Sequence, residues 1–247
     1  MDLIFRKTYS VHSYETDPGG SARTTTLLNY LQDAAGDHAG RLGLSVVDLF
    51  KRRLTWVLSR THVRIHRYPR TGEALEVTTW PSGKGGYFAT RDFEVADAMG
   101  GAVLAATTSW MIIDLDRRQR VKVDDIIEIP YAVEKRALDD PFASLPVLAV
   151  RDAETGFRVE KAHLDWNKHV NNAVYVQWAL EAVPQDILFA RRPVDLEVSF
   201  RAEALYGDTV VSAVQRIAAA AAAPQFLHQI FNAASGVELA RLRTCWE

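Results

Sequence analysis

The chain has 247 residues, 48% of them hydrophobic and 24% charged, a balance that supports a sizeable buried core and excludes intrinsic disorder or collagen-like order. Its formal net charge of -2 gives no overall attraction to nucleic acid or to an anionic membrane, so a charged partner has to be met by a local patch. With the single cysteine Cys245, an intramolecular disulfide, a zinc ribbon and a CxxC redox pair are all excluded, and a reducing compartment fits.

The opening "MDLIFRKTYSVHSYE" is charged from its second residue and has no apolar signal region. No stretch approaches the roughly 20 uninterrupted apolar residues of a spanning helix, so the expectation is a cytoplasmic protein. Next, "TTTLLNYLQDAAGDHAG" reads as a helix that Thr24, Thr25 or Thr26 can cap and glycine can end. From Val63, "VRIHRYPRTGEALEV" reads as two strands joined by a turn with Gly72 and Glu73. "SGKGG", Ser82 to Gly86, lacks the Lys-Ser/Thr of a phosphate loop and reads as a hairpin turn. "DAMGGAVLAATTSW" is a glycine turn feeding a strand that ends at Trp110. The irregular stretch that follows carries Pro130, Pro141 and Pro146 and separates a first unit, 1–130, from a second, 159–247, with 131–158 as linker.

The second unit repeats the pattern of the first. "NNAVYVQWALEAVP" reads as a helix capped by Asn171 or Asn172 and stopped by Pro184. "VSFRAEALYGDTVVS" repeats the strand, turn and strand, and Gly207 lies 135 positions after Gly72. "NAASGVELARLRTCW" repeats the strand ending in tryptophan, and Trp246 lies 136 positions after Trp110. Both helices look apolar around most of their circumference, as a helix wrapped by a sheet would be. The fold class expected is therefore α+β, a tandem (double) hot dog, each unit an antiparallel sheet wrapped around a long central helix. The run Ala218 to Ala223, ended by Pro224, reads as filler between strands.

One stretch is crowded with polar groups. In "HLDWNKHVNNAVYVQWALEAVP", Asp165, Asn167 and His169 alternate along what reads as an extended lead into the helix, so that all three side chains face one side. Asn171 and Asn172 sit at the helix start, where uncapped N–H groups carry roughly half an elementary charge and can polarise a carbonyl oxygen. A thioester suits such a site, because its carbonyl is poorly conjugated to sulfur. Taken singly, each residue also reads as a plain cap or a structural histidine. His163 with His169 lacks a third ligand, so no metal is expected, and no cofactor is called for.

"LDWNKHVNNAVYVQWALEAVP" resembles the signature segment of acyl-acyl carrier protein thioesterases, in which an Asp-x-Asn-x-His-Val-Asn-Asn block opens the helix of the second hot dog unit. "SYETDPGGSARTTTLLNYLQDAAGDHAGRLG", "LTWVLSRTHVRIHRYPRTGEALEVTTW" and "ATTSWMIIDLDRRQRVKVDDI" resemble the family in the same order, so the likeness spans most of the chain. "SFRAEALYGD" matches the family's Tyr-Arg-x-Glu-Cys region, which implies a catalytic Glu203 and sets Ala204 where the family has cysteine. Alanine excludes a cysteine nucleophile at that position.

The resemblance implies hydrolysis of a fatty acyl thioester on acyl carrier protein, releasing free fatty acid and ending chain elongation. Glu203 would take a proton from water while His169 and Asn167 hold the water and the thioester, with Asp165 orienting them; the alternative gives Asp165 the role of base or nucleophile. In the first unit, sliding by 148 positions sets Asp17 against Asp165, Gly19 against Asn167 and Ser21 against His169. One working site per chain follows, with Leu27, Leu28, Leu31 and Trp56 of the first unit as acyl-pocket candidates or, equally, core. An acidic carrier protein needs a basic surface, for which Lys51 to Arg53, Arg117 to Lys122, and Arg191 with Arg192 are candidates; each also reads as an ordinary solvated face. A homodimer is left open. Rival readings are a coenzyme A thioesterase of the hot dog superfamily and a hot dog protein that binds acyl thioesters without turnover.

Overall fold

The computed structural model describes residues 2–127, 133–165, 167–217 and 223–247. The chain divides into two compact units, Met1–Pro141 and Phe142–Glu247. The first runs β1 (Phe5–Ser10), α1 (Thr24–Arg41), α2 (Val46–Lys51), β2 (Leu54–Ile65), β3 (Ala74–Gly85), β4 (Phe88–Asp97), β5 (Ala102–Asp114) and β6 (Gln119–Val121). Its strands pair antiparallel in the order β1-β3-β4-β5-β2, with β6 on the far end of β5. The second runs β7 (Ala153–Arg158), α3 (Asn172–Glu181), α4 (Gln185–Ala190), β8 (Pro193–Phe200), β9 (Thr209–Ile217), β10 (Gln225–Asn232) and β11 (Glu238–Trp246). Its antiparallel order, β7-β9-β10-β11-β8, repeats that of the first unit strand for strand. In each unit the long helix packs on the sheet, α1 on β1 and β3, and α3 on β7, β9, β10 and β11. The tandem hot dog expected from the repeat is the architecture observed.

Local chemistry explains the repeat. Gly72 and Gly207 have φ of 85° and 87°, a region glycine enters without steric cost. Beside them the Arg70 N–H donates to the Glu73 carboxylate and the Leu205 N–H to the Asp208 carboxylate, at 2.8 and 2.9 Å. Trp110 and Trp246 each donate their indole N–H to the threonine two residues earlier, Thr108 and Thr244, at 2.9 Å. "SGKGG" lies in the β3–β4 hairpin, where Gly86 has φ 57°.

The helices depart from the sequence reading in three ways. Thr24, Thr25 and Thr26 lie inside α1, whose N-cap is Arg23 with no side-chain cap bond. Two of the threonine hydroxyls are engaged elsewhere, Thr24 with the Tyr68 hydroxyl at 3.0 Å and Thr26 donating to the Glu15 carbonyl at 2.7 Å. The helix also passes through Gly36 and Gly40 and ends only at Gly43, φ 68°, where the Leu44 and Gly43 N–H groups close a Schellman pair on the Ala39 and Gly40 carbonyls. Finally, α1 is striped: Leu27, Tyr30, Leu31, Ala34, Ala35 and His38 are buried, while Gln32, Asp33, Gly36 and Asp37 are exposed. Each buried leucine contributes about 2 kcal/mol. By contrast α3 is apolar nearly all round, with only Gln177 and Glu181 exposed.

Residues 153–158, read from sequence as part of a linker, form β7 and pair with β9. "AETGFR" alternates only between exposed and half-buried positions, so it carries little apolar signal. Other parts of that stretch are pinned although irregular. In the first unit the Val133 N–H donates to Pro81, Arg136 meets Asp92 at 3.0 Å, and Asp140 meets His62 at 2.8 Å, so the segment crosses from β3 to β2. In the second, Leu145 accepts from Arg241, and the Leu148 and Ala149 N–H groups donate to Gln229 and Gln215. Ala218 to Ala222 lie outside the described residues. Among the described residues no helix is long and apolar enough to cross a membrane.

Candidate active site

The polar stretch before α3 is not extended. The Asp165 N–H donates to the His169 carbonyl at 2.8 Å and the Lys168 N–H to the Asp165 carbonyl at 3.0 Å, closing a turn flanked by a bridge between Leu164 and Val170. One carboxylate oxygen of Asp165, Oδ1, accepts the N–H groups of Asn167 and His169 at 2.8 and 3.2 Å. An aspartate able to accept from N–H groups two and four residues on favours such a turn over an open chain, which leaves those donors to water. The alternating row of Asp165, Asn167 and His169 is therefore corrected to a turn in which Asp165 faces backbone.

The turn delivers the chain to the helix. The Asn171 N–H donates to the His163 carbonyl at 2.9 Å, and Asn171 Oδ1 accepts the Ala173 N–H at 2.9 Å, which makes Asn171 the cap. The Val174 N–H donates to the Asn171 carbonyl. Of the first helical N–H groups, that of Asn172 has no partner among the described residues, so the partial positive charge open to a ligand narrows to this donor. His163 is structural: its Nδ1 accepts the Glu160 N–H at 3.1 Å and its ring meets Trp178 edge-on.

Glu203 arrives on the loop between β8 and β9. Next to it Ala204, fully buried, accepts the Val170 N–H at 3.4 Å and donates its own N–H to the Tyr175 hydroxyl at 2.9 Å. These two bonds tie the loop to the turn and to α3. His169 Nε2 and Glu203 Oε2 stand 3.3 Å apart, with side chains 42% and 57% exposed, so water reaches both. The buried Tyr175 hydroxyl is pushed up to about 12, by desolvation first and then by the Glu203, Asp208 and Asp165 carboxylates. Sequence reasoning missed Tyr175; a tyrosine within a largely apolar helix was the available signal.

The first unit builds the same scaffold without the same groups. Asp17 closes an equivalent turn, its N–H donating to the Ser21 carbonyl at 2.8 Å and its Oδ1 accepting the Ser21 N–H at 3.0 Å. The bridge here is Thr16 with Ala22, again 148 positions before its counterpart. The Ala22 N–H donates to Pro69 as Val170 does to Ala204, which sets Tyr68 opposite Glu203. That unit thus carries serine and tyrosine where the second carries histidine and glutamate. Leu27 and Leu31 are buried on α1, Leu28 is half-buried, and Trp56 is half-buried with its indole N–H donating to the Leu44 carbonyl at 2.8 Å. Of the basic candidates, Arg53 pairs with Asp116 at 2.6 Å and Arg120 lies over the Tyr87 ring.

Residues 2–131 match the acyl-ACP thioesterase N-terminal domain and residues 149–247 the C-terminal domain. The acyl-[acyl-carrier-protein] hydrolase FATB2 of Cuphea viscosissima is 32% identical over 81% of this chain and 52% of its own length. The dodecanoyl-[acyl-carrier-protein] hydrolase of Cinnamomum camphora is 30% identical over 99% of this chain and 68% of its own. The chain thus spans about half to two thirds of the length of these relatives. Among solved structures, the 12:0-ACP thioesterase from Umbellularia californica superposes with a TM-score of 0.87 at 28% identity, covering 99% of this chain and 94% of that one. A putative oleoyl thioesterase from Lactobacillus plantarum gives 0.87 at 25% identity, covering 99% and 96%. With residues 2–131 and 149–247 both matched, the chain belongs to the acyl-ACP thioesterase family.

Proposed function

We propose that this chain hydrolyses the thioester of a fatty acyl group on acyl carrier protein, releasing the free acid, and that the chemistry resides in the second unit. The observation that carries this reading is the contact of His169 with Glu203 at 3.3 Å on solvent-reachable side chains, set against Ser21 and Tyr68 at the matching places of the first unit.

Glu203 takes a proton from water as the water oxygen attacks the acyl carbonyl carbon. Negative charge moves onto the carbonyl oxygen, opposite the Asn172 N–H, and the tetrahedral intermediate collapses by breaking the carbon–sulfur bond. The departing thiolate takes a proton back from the Glu203 and His169 pair, so the site ends as it began. His169 and Asn167 hold the water and the thioester. Asp165 fits an orienting role better than that of base, because its Oδ1 already accepts two backbone N–H groups. A cytoplasmic setting suits the lone Cys245.

The test is turnover on acyl carrier protein loaded with short to long acyl chains, beside coenzyme A thioesters of the same acyl groups. Preference for the carrier protein thioester supports the reading. Preference for coenzyme A transfers it to that substrate, and affinity without turnover reduces the chain to a binding protein.

A further inference from the structure

We infer that Tyr175 is a positioning residue for this site: by accepting the Ala204 N–H, its hydroxyl holds the neighbouring Glu203 against His169. The inference rests on the reading of the Glu203 and His169 pair as the hydrolytic centre.

Three observations carry it. First, Tyr175 is buried on α3 and its oxygen meets the Ala204 nitrogen at 2.9 Å. Without that oxygen, a fully buried N–H one residue from Glu203 loses its acceptor, and a buried unpaired donor is driven to move. Second, the bond is one of two that the backbone of Ala204 makes to other elements. The other, from the Val170 N–H to the Ala204 carbonyl, is longer at 3.4 Å, and it fastens the loop to the turn rather than to the helix. With Tyr175 in place the peptide units on both sides of Ala204 are held, one by α3 and one by the segment that carries His169.

Third, the first unit provides an internal control. Leu27 stands 148 positions before Tyr175, and Pro69 stands where the second unit has Ala204. Proline has no N–H to donate, and leucine has no oxygen to accept one. The carbonyl bond, Ala22 to Pro69 at 2.8 Å, is nonetheless retained. The fold of the unit therefore closes without the tyrosine bond, and the donor and the acceptor occur together only in the unit that carries glutamate and histidine. The first unit instead ties its loop to α1 through the Tyr68 hydroxyl and Thr24, at 3.0 Å.

Because Tyr175 acts through Glu203, its removal should be felt only while Glu203 is functional. A misplacement of about 1 Å in a catalytic group costs on the order of 100-fold. The experiment compares the parent, Tyr175→Phe, Glu203→Gln and the double variant on the acyl carrier protein thioester that the parent hydrolyses fastest. Tyr175→Phe should lower kcat about 10- to 100-fold with KM within about twofold, and the double variant should be no slower than Glu203→Gln. Parental kcat in Tyr175→Phe overturns the inference, as does a double variant slowed by the product of the two single effects. Should Tyr175→Phe fail to fold, Ala204→Pro removes the same bond from the other end, on a position that accepts proline in the first unit; parental kcat there is equally fatal. A crystal structure of the variant supplies a readout independent of turnover. His169 and Glu203 should separate beyond hydrogen-bonding distance, and an unchanged contact overturns the inference even if the parent proves inactive on every thioester, an outcome that would defeat the functional reading by itself.

Discussion

Asp17 and Asp165 stand at the head of the same turn in the two units, each with Oδ1 accepting the N–H four residues on, from Ser21 at 3.0 Å and from His169 at 3.2 Å. One carboxylate thus orders a turn that carries no imidazole, and the other orders the turn that presents one. Asp17→Ala should cost about 1 kcal/mol of stability through the lost hydrogen bonds and leave turnover unchanged. Asp165→Ala should cost a similar amount of stability and also most of the turnover. Thermal melts beside thioester hydrolysis separate the two, and a first-unit variant that abolished turnover in a fully folded protein would mean that the site is not confined to the second unit.

Glu203 and Asp165 differ in what their oxygens already do. Glu203 is 57% exposed and meets His169, whereas Asp165 faces two N–H groups of its own turn. An amide oxygen can still accept those bonds, so Asp165→Asn should retain activity to within about tenfold. Glu203→Gln removes the proposed general base and should lower kcat about 10²- to 10⁴-fold with little change in acyl binding. The reverse ranking would give Asp165 the role of base.

Much of the fold was legible because its constraints are local. Gly72 and Gly207 mark turns that require positive φ, and Trp110 and Trp246 each find their hydroxyl two residues back, so these signals recur at intervals of 135 and 136. The interval shortens from 148 near the helix starts to 135 at the turns, chiefly because α1 has 18 residues and α3 has 10, and further because β2 has 12 and β8 has 8. β7 escaped notice because its face is only half-buried, although the 148-residue interval maps β1 onto it. The turn at Asp165 was misread because an Asp-x-Asn-x-His spacing imitates the alternation of a strand, and sequence alone does not reveal which N–H groups a carboxylate will accept. The pairing of His169 with Glu203 came from family likeness; no spacing rule joins positions 34 residues apart.

His38 makes stability depend on pH. Burial first, and then the positive charge of Arg91, depress its pKa from 6.5 to about 4. Its Nδ1 meets Arg91 at 3.0 Å, where it can only accept, so the ring proton belongs on Nε2, toward the Asp2 carbonyl at 3.2 Å. A neutral buried histidine that is readily protonated when unfolded means that the unfolded state binds more protons between pH 6.5 and 4. Stability therefore falls as pH drops through that window. Between pH 7 and 5 this one group should cost about 2 kcal/mol. Urea unfolding of the parent and of His38→Gln at both pH values checks this; an equal loss in the two proteins would exclude His38 as its source.

Cys245 should be dispensable. It lies on β11, and its thiol is raised above the usual value by burial first and then by the Asp195 and Glu247 carboxylates, so little of it is thiolate near neutral pH. The position where the family resemblance expects cysteine holds Ala204, whose methyl group can supply neither a nucleophile nor a proton. Cys245→Ser should therefore hydrolyse acyl thioesters within about twofold of the parent, and iodoacetamide should label the folded protein slowly with no loss of turnover. If alkylation instead abolished hydrolysis in step with labelling, the water-attack mechanism would have to give way to an acyl-enzyme route through that sulfur, because no other thiol exists in the chain.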